Sequence, residues 1–164
     1  MKGGKVVLFS RPVRSGKTTE LLEWCKSRTD VGGLLSPDKD GIRWFYDISS
    51  QEWHPFEMAG PGTGSISVGR FHFSEAAFSE ARSRLTALAG INSFLAIDEV
   101  GKLELHRAEG LEPVIGELIT GYLKQQYDGT LLLVVRDTLL NELIKKYSLE
   151  QAAVINTLTL YNGT

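Results

Sequence analysis

The sequence predicts an α/β protein of three layers, with helices on both faces of a mainly parallel sheet and an antiparallel hairpin added beside it. Three observations carry this prediction. Residues 130–135 and 93–97 are nearly unbroken apolar runs, as expected of strands covered on both faces. Strand-like and helix-periodic segments alternate along much of the chain. The first strand-like run, residues 5–10, passes through a glycine-bearing turn straight into a helical pattern.

The elements follow in order. The helix after residues 5–10 is expected from about Gly16 to Arg28, with Leu21, Leu22 and Cys25 inward and Trp24 flanking. Residues 33–36 and 42–48 read as strands around the turn-rich Pro37-Asp38-Lys39-Asp40-Gly41, which suggests an antiparallel hairpin. Further short strands are expected over 52–58 and 66–72, with a loop over 59–65. Ser74 fits a helix N-cap, and Ala77, Ala81, Leu85 and Leu88 recur at helical spacing after it. The strand at 93–97 ends in Asp98-Glu99. A long helix over 111–126 carries Pro113 in its first turn, where a missing N–H costs nothing. Leu139, Leu140, Leu143 and Ile144 mark one more helix, and residues 153–155 and 157–161 read as short terminal strands.

Length and composition set outer limits. With 164 residues, the chain is expected to form one domain spanning 1–164. A 42% hydrophobic and 23% charged composition argues against global disorder. The 18 Lys+Arg balance 20 Asp+Glu, so bulk electrostatics give no support for nucleic-acid binding, and a nucleic-acid or protein partner stays open. Cys25 is the single cysteine, which excludes an intrachain disulfide and fits a cytoplasmic protein. The opening Met1-Lys2-Gly3-Gly4-Lys5 is basic, but the apolar run behind it covers only 6–9. That is too short for a signal peptide or a membrane span, so no membrane association is expected.

The strongest chemical signal is Arg11-Pro12-Val13-Arg14-Ser15-Gly16-Lys17-Thr18, followed by Thr19. It matches the second half of the phosphate-binding pattern G-x-x-x-x-G-K-[ST], with Arg11 in place of the first glycine. The chemistry explains the surviving half. Gly16 lets backbone approach a phosphate, and successive loop N–H groups with the helix N-terminus favour an anion, while Arg14 beside Ser15 could add a further phosphate contact or be a solvated loop arginine. Lys17 reaches the β- and γ-phosphates, the Thr18 hydroxyl suits Mg²⁺, and Thr19 suits the α-phosphate. Asp98, at the end of a buried strand, is the candidate Walker B carboxylate for the same Mg²⁺, and Glu99 is the candidate general base toward water. Together these residues predict a P-loop domain that binds a nucleoside triphosphate with Mg²⁺; hydrolysis rests on Glu99 and the placing of water, and binding without turnover stays open.

Asp98-Glu99-Val100-Gly101-Lys102-Leu103-Glu104 resembles the D-E-[IV]-G-K-[ML]-E segment of the THEP1-type nucleoside-triphosphatases. Val68-Gly69-Arg70-Phe71 resembles that family's V-G-[KR]-Y segment, and the phosphate loop resembles its G-R-P-G-x-G-K-T-T, with Ser10 at the first glycine and one residue more. The resemblance spans about 6–156. It implies a RecA-like mixed sheet and slow, base-tolerant, Mg²⁺-dependent hydrolysis of ATP, GTP and other nucleoside triphosphates. It also implies roles for Gly16, Lys17, Thr18, Asp98 and Glu99 that match those above.

Secondary candidates follow. Arg136 ends the strand at 130–135, on the ligand edge of an open parallel sheet, where it could sense the γ-phosphate. Lys102 could orient Glu104 or approach phosphate. Arg82 and Arg84 read as a solvated face, and His54, His72 and His106 are too scattered for zinc. Trp44 and Tyr46 alternate with Phe45, so sheet packing and base stacking both stay open for the outward rings. Two other functions share the phosphate loop: a small-molecule phosphotransferase and a nucleotide-gated binding module without turnover.

Overall fold

The computed structural model describes residues 3–159 and 161. Met1 and Lys2 of the basic opening, and Leu160 of the expected last strand, lie outside the described residues. Eight strands form the main sheet: β1 (Gly4–Arg11), β2 (Val31–Leu35), β3 (Asp38–Lys39), β4 (Ile42–Asp47), β5 (Glu52–Pro55), β9 (Phe94–Ile97), β10 (Gly129–Arg136) and β11 (Ala153–Ile155). Between them in the chain, β6 (Glu57–Met58), β7 (Ser65–Val68) and β8 (Phe71–Ser74) form a separate antiparallel sheet ordered β6-β8-β7. In the main sheet β11, β1, β10, β9 and β2 run parallel, while β4 pairs antiparallel with β2, β3 and β5.

Alternation along the strands divides the core. Val6 and Leu8 of β1, Leu131, Leu133 and Val135 of β10, and Leu95 and Ile97 of β9 face one way. They meet α2 (Glu75–Leu88), α3 (Lys102–Arg107), α4 (Val114–Leu123) and α5 (Asp137–Tyr147). Val7, Phe9, Leu132, Val134, Phe94 and Ala96 face the other way, onto α1 (Lys17–Lys26) and the C-terminal Leu158. The helix-sheet-helix sandwich is therefore a mixed-sheet α/β fold, unevenly covered. Gly33 on β2 shows how closely its strands approach: φ is 127°, and a Cβ there would lie 1.9 Å from the Ala96 carbonyl oxygen of β9.

The expected hairpin exists as the β2–β4 and β3–β4 pairings, but β4 joins the main sheet as its antiparallel continuation. Four expectations need correction. The strand expected over 52–58 is two, β5 on the main sheet and β6 on the separate one. The single strand expected over 66–72 is a hairpin, β7–β8, turning at Gly69-Arg70. The helix expected over 111–126 begins at Val114, with Pro113 as its N-cap, and a six-residue helix, α3, precedes it unforeseen. Thr157, Leu158 and Thr159 form no strand: the Leu158 N–H and the Thr157 hydroxyl instead donate to Glu20 of α1. Ser74 caps α2, its Oγ accepting from Ala77 N at 3.2 Å.

Candidate nucleotide site

The parallel register brings the carboxyl ends of four strands together. Arg11 of β1 lies beside Arg136 of β10, and Ile97 of β9 lies beside both Leu133 and Leu34. Open parallel sheets bind ligands at this edge. The loop from Pro12 to Gly16 joins β1 to α1. Two of its residues are left-handed, Arg14 with φ 58° and Gly16 with φ 86°. Glycine takes that conformation freely, so Gly16 is required by the turn itself as well as by any phosphate.

Arg11 replaces the missing glycine with a brace. Its guanidinium donates to Ser15 O at 3.1 Å, to Asn156 O at 3.1 Å and to Glu20 of α1. Glu20 in turn accepts from Leu158 N, and these bonds hold its carboxyl below the usual glutamate range against the opposing effect of burial. A side chain therefore fastens the loop to both the helix and the C-terminal segment. Lys17 Nζ donates to Pro12 O at 2.8 Å, spanning the loop. Partial burial lowers the Lys17 pKa, with Glu99 and Asp98 opposing that shift.

The decisive contact lies across the sheet edge. Thr18 Oγ1 donates to Asp98 Oδ2 at 2.7 Å, and Ser36 N donates to the same oxygen at 3.0 Å. Asp98 is 3% exposed, and its pKa is pushed up to about 6 by burial first and by the Glu99 charge second. The backbone after β9 is pinned on two sides, Asp98 N donating to Leu34 O and Val100 N to Val134 O. Glu99, between them, takes φ 64°, a left-handed conformation that costs a non-glycine residue about 1 kcal/mol or more. Its carboxylate pairs with the Arg43 guanidinium through one oxygen and lies 3.5 Å from Arg136 Nη2 through the other.

The structure thus brings Lys17, Thr18, Asp98, Glu99 and Arg136 to one edge. Ser15 accepts a weak bond from Arg11 Nε at 3.4 Å, whereas Arg14 and Thr19 are exposed and make no side-chain hydrogen bond among the described residues. Glu104 is held by the N–H groups of Gly101 and Leu111 at 2.9 and 3.0 Å, not by Lys102. Burial pushes its pKa up to about 7. Arg82 and Arg84 pair with Glu75 and Asp47, and Trp44, Tyr46 and Trp53 pack together on the sheet. No group of His, Cys, Asp or Glu among the described residues is arranged to hold a metal by itself. No helix among them is long and apolar enough to cross a membrane.

Sequence reasoning missed Arg43, Ser36 and the bracing role of Arg11. Arg43 left one signal: it shares strand phase with the buried Phe45 and Asp47, so its side chain lies on the covered face of β4.

Comparison with known proteins extends the reading. No family model matches the chain, and no match was found among curated proteins. The crystal structure of THEP1 from the hyperthermophile Aquifex aeolicus superposes with a TM-score of 0.68 over 92% of this chain and 88% of that one, at 16% identity. The chain has the THEP1-type nucleoside-triphosphatase fold. The solution structure of a human cancer-related nucleoside triphosphatase superposes likewise, with a TM-score of 0.65 over 95% and 90% of the two chains at 20% identity. In this fold the loop at 12–16 and the Asp98-Glu99 strand end meet with β10 between their strands.

Proposed function

We propose that this chain hydrolyses nucleoside 5′-triphosphates to diphosphate and phosphate with Mg²⁺. The observation that carries the reading is the 2.7 Å bond from Thr18 to Asp98, with Glu99 adjacent. A hydroxyl and a buried carboxylate oxygen form a hard-donor pair of the kind Mg²⁺ takes, so Thr18 and Asp98 fit as its protein ligands. When bound, the ion would supply positive charge to the phosphate oxygens.

The remaining roles belong to the chain's own groups. The loop N–H groups of Arg14, Ser15 and Gly16 cradle the phosphates, and Thr19 contacts the α-phosphate. Lys17 leaves the Pro12 carbonyl for the β- and γ-phosphates. Glu99 accepts the proton of a water whose oxygen attacks the γ-phosphorus, while the bond to the β,γ-bridging oxygen breaks. Arg136 meets the charge that develops on the γ-phosphoryl oxygens. We place the activity in the cytoplasm, on the lone cysteine and the substrate class.

The test is phosphate release from ATP, GTP, CTP and UTP with Mg²⁺ and with EDTA. Mg²⁺-dependent release at similar rates from all four is expected. Release from none of them would favour the second reading, a nucleotide-gated binding module. One observation supports that reading: both Glu99 carboxylate oxygens already face arginines.

A further inference from the structure

A cavity of about 350 Å³ opens beside Asp98 and Glu99, and no residue of the loop at 12–19 lines it. Its walls come from β4, the separate β6-β8-β7 sheet, α2 and α3. The volume is at the lower end of the range for small-molecule sites. Its apolar part is mainly aromatic, with Val68, Leu103 and Leu111 beside five phenylalanines. Phe45 and Phe56 stack at 4.1 Å between centroids, and Phe78 meets both edge-on at 5.6 Å. Phe73 and Phe71 stack at 6.2 Å, and Phe71 carries its ring to the surface at 38% exposure.

The polar part carries uncompensated positive charge. Arg43, Arg70, Lys102 and Arg136 all line the cavity. The three carboxylates there are occupied: Asp98 by Thr18 and Ser36, Glu104 by two backbone N–H groups, and Glu99 by Arg43 and Arg136. Arg70 and Lys102 are exposed and make no ion pair among the described residues; the Arg70 guanidinium only lies over the Phe71 ring at 5.1 Å. The triphosphate does not fill this space in the orientation proposed above. Its γ end would meet Glu99 at the cavity edge, whereas no residue of the loop at 12–19 lines the cavity.

We propose that the cavity binds a second ligand, a nucleoside monophosphate, with its base against Phe71 and Phe73 and its phosphate at Arg70 and Lys102. The aromatic walls supply stacking area that any base can use. The two free cations supply the anion site, and of the neighbouring carboxylates Glu99 is paired with Arg43 and Arg136 while Asp98 and Glu104 are turned onto hydrogen-bond donors of the protein. The placement rests on the triphosphate orientation given under the proposed function. The binding itself requires neither triphosphate nor hydrolysis.

The test is calorimetric titration of AMP and GMP into the full chain without triphosphate or Mg²⁺, with adenosine and inorganic phosphate as separate probes. Saturable binding of at least one monophosphate is expected, about tenfold or more tighter than either fragment. Phe71→Ala and Arg70→Glu change exposed side chains, and each should weaken the monophosphate about tenfold. Thermal unfolding would verify that both variants remain folded. Lys17→Ala should leave monophosphate binding intact, which separates this site from the phosphate loop. The proposal is overturned if neither monophosphate binds. It is also overturned if Lys17→Ala abolishes binding while Phe71→Ala and Arg70→Glu leave it unchanged, or if adenosine binds as tightly as AMP. Loss of triphosphatase activity alone would bear on the proposed function and not on this site.

Discussion

Replacing Asp98 with asparagine should stabilise the metal-free protein at alkaline pH. The Asp98 carboxyl is buried, and its pKa is pushed up to about 6 from 3.8, by desolvation first and by Glu99 second. An acid raised in this way holds its proton more readily in the folded chain than in the unfolded one. Between the two values the unfolded chain binds fewer protons, so this group's contribution to stability falls as pH rises. The penalty is absent well below the unfolded value and complete above about 6. About two pKa units at 1.4 kcal/mol each give about 3 kcal/mol. Asparagine carries no charge, and its carbonyl can still accept from Thr18 Oγ1 and Ser36 N, as Asp98 Oδ2 does. At roughly 2–4 °C per kcal/mol for a chain of this size, Asp98→Asn should raise Tm by about 6–12 °C near pH 8. The gain should shrink toward about pH 4, where the aspartate is protonated in both states to a growing extent. Thermal unfolding of both proteins in EDTA at the two pH values measures this. A variant less stable near pH 8, or a difference independent of pH, would refute the reasoning.

Three other substitutions probe the scaffold and the loop. Gly33→Ala should cost about 4 kcal/mol or more, because the new Cβ would meet the Ala96 carbonyl oxygen at 1.9 Å on a backbone with φ 127°; urea unfolding would show it, and a cost below about 1 kcal/mol would contradict the β2–β9 approach. Arg11→Ala should cost about 1–2 kcal/mol after discounting for partial solvation, and should weaken ATP binding by calorimetry, since it unfastens Ser15, Glu20 and Asn156 together. Thr18→Ala should lower the affinity for Mg²⁺·ATP about tenfold or more while leaving metal-free ATP binding nearly unchanged, because it removes one of the two oxygens proposed to hold the ion.

Much of the central sheet was legible because its strands are buried on both faces. The runs in β10 and β9 are unbroken apolar sequence, and no helix-period reading competes with them. The meeting of Lys17, Thr18, Asp98 and Glu99 at one sheet edge was legible because each lies at or just beyond the end of a strand-like run of a parallel sheet. The region from β3 to β8 was less legible. Its strands are two to six residues long, so periodicity has little to act on, and the Gly69-Arg70 turn is too brief to break the apolar pattern at 66–72. Arg43 was hidden because its partner lies 56 positions away in sequence. Arg11 read as a defect in the glycine pattern, whereas its guanidinium makes the loop's main tertiary bonds. That role depends on Asn156, from a segment whose position the local sequence does not reveal.

The most direct test of the central claim is single-turnover phosphate release from Mg²⁺·ATP by the wild type, Lys17→Ala and Glu99→Gln. The account predicts release by the wild type, abolished with EDTA. Lys17→Ala should lose ATP binding and release together. Glu99→Gln should keep binding and lose release by about a hundredfold or more, the scale of general-base catalysis. Release that persists undiminished in both variants would contradict hydrolysis at this site.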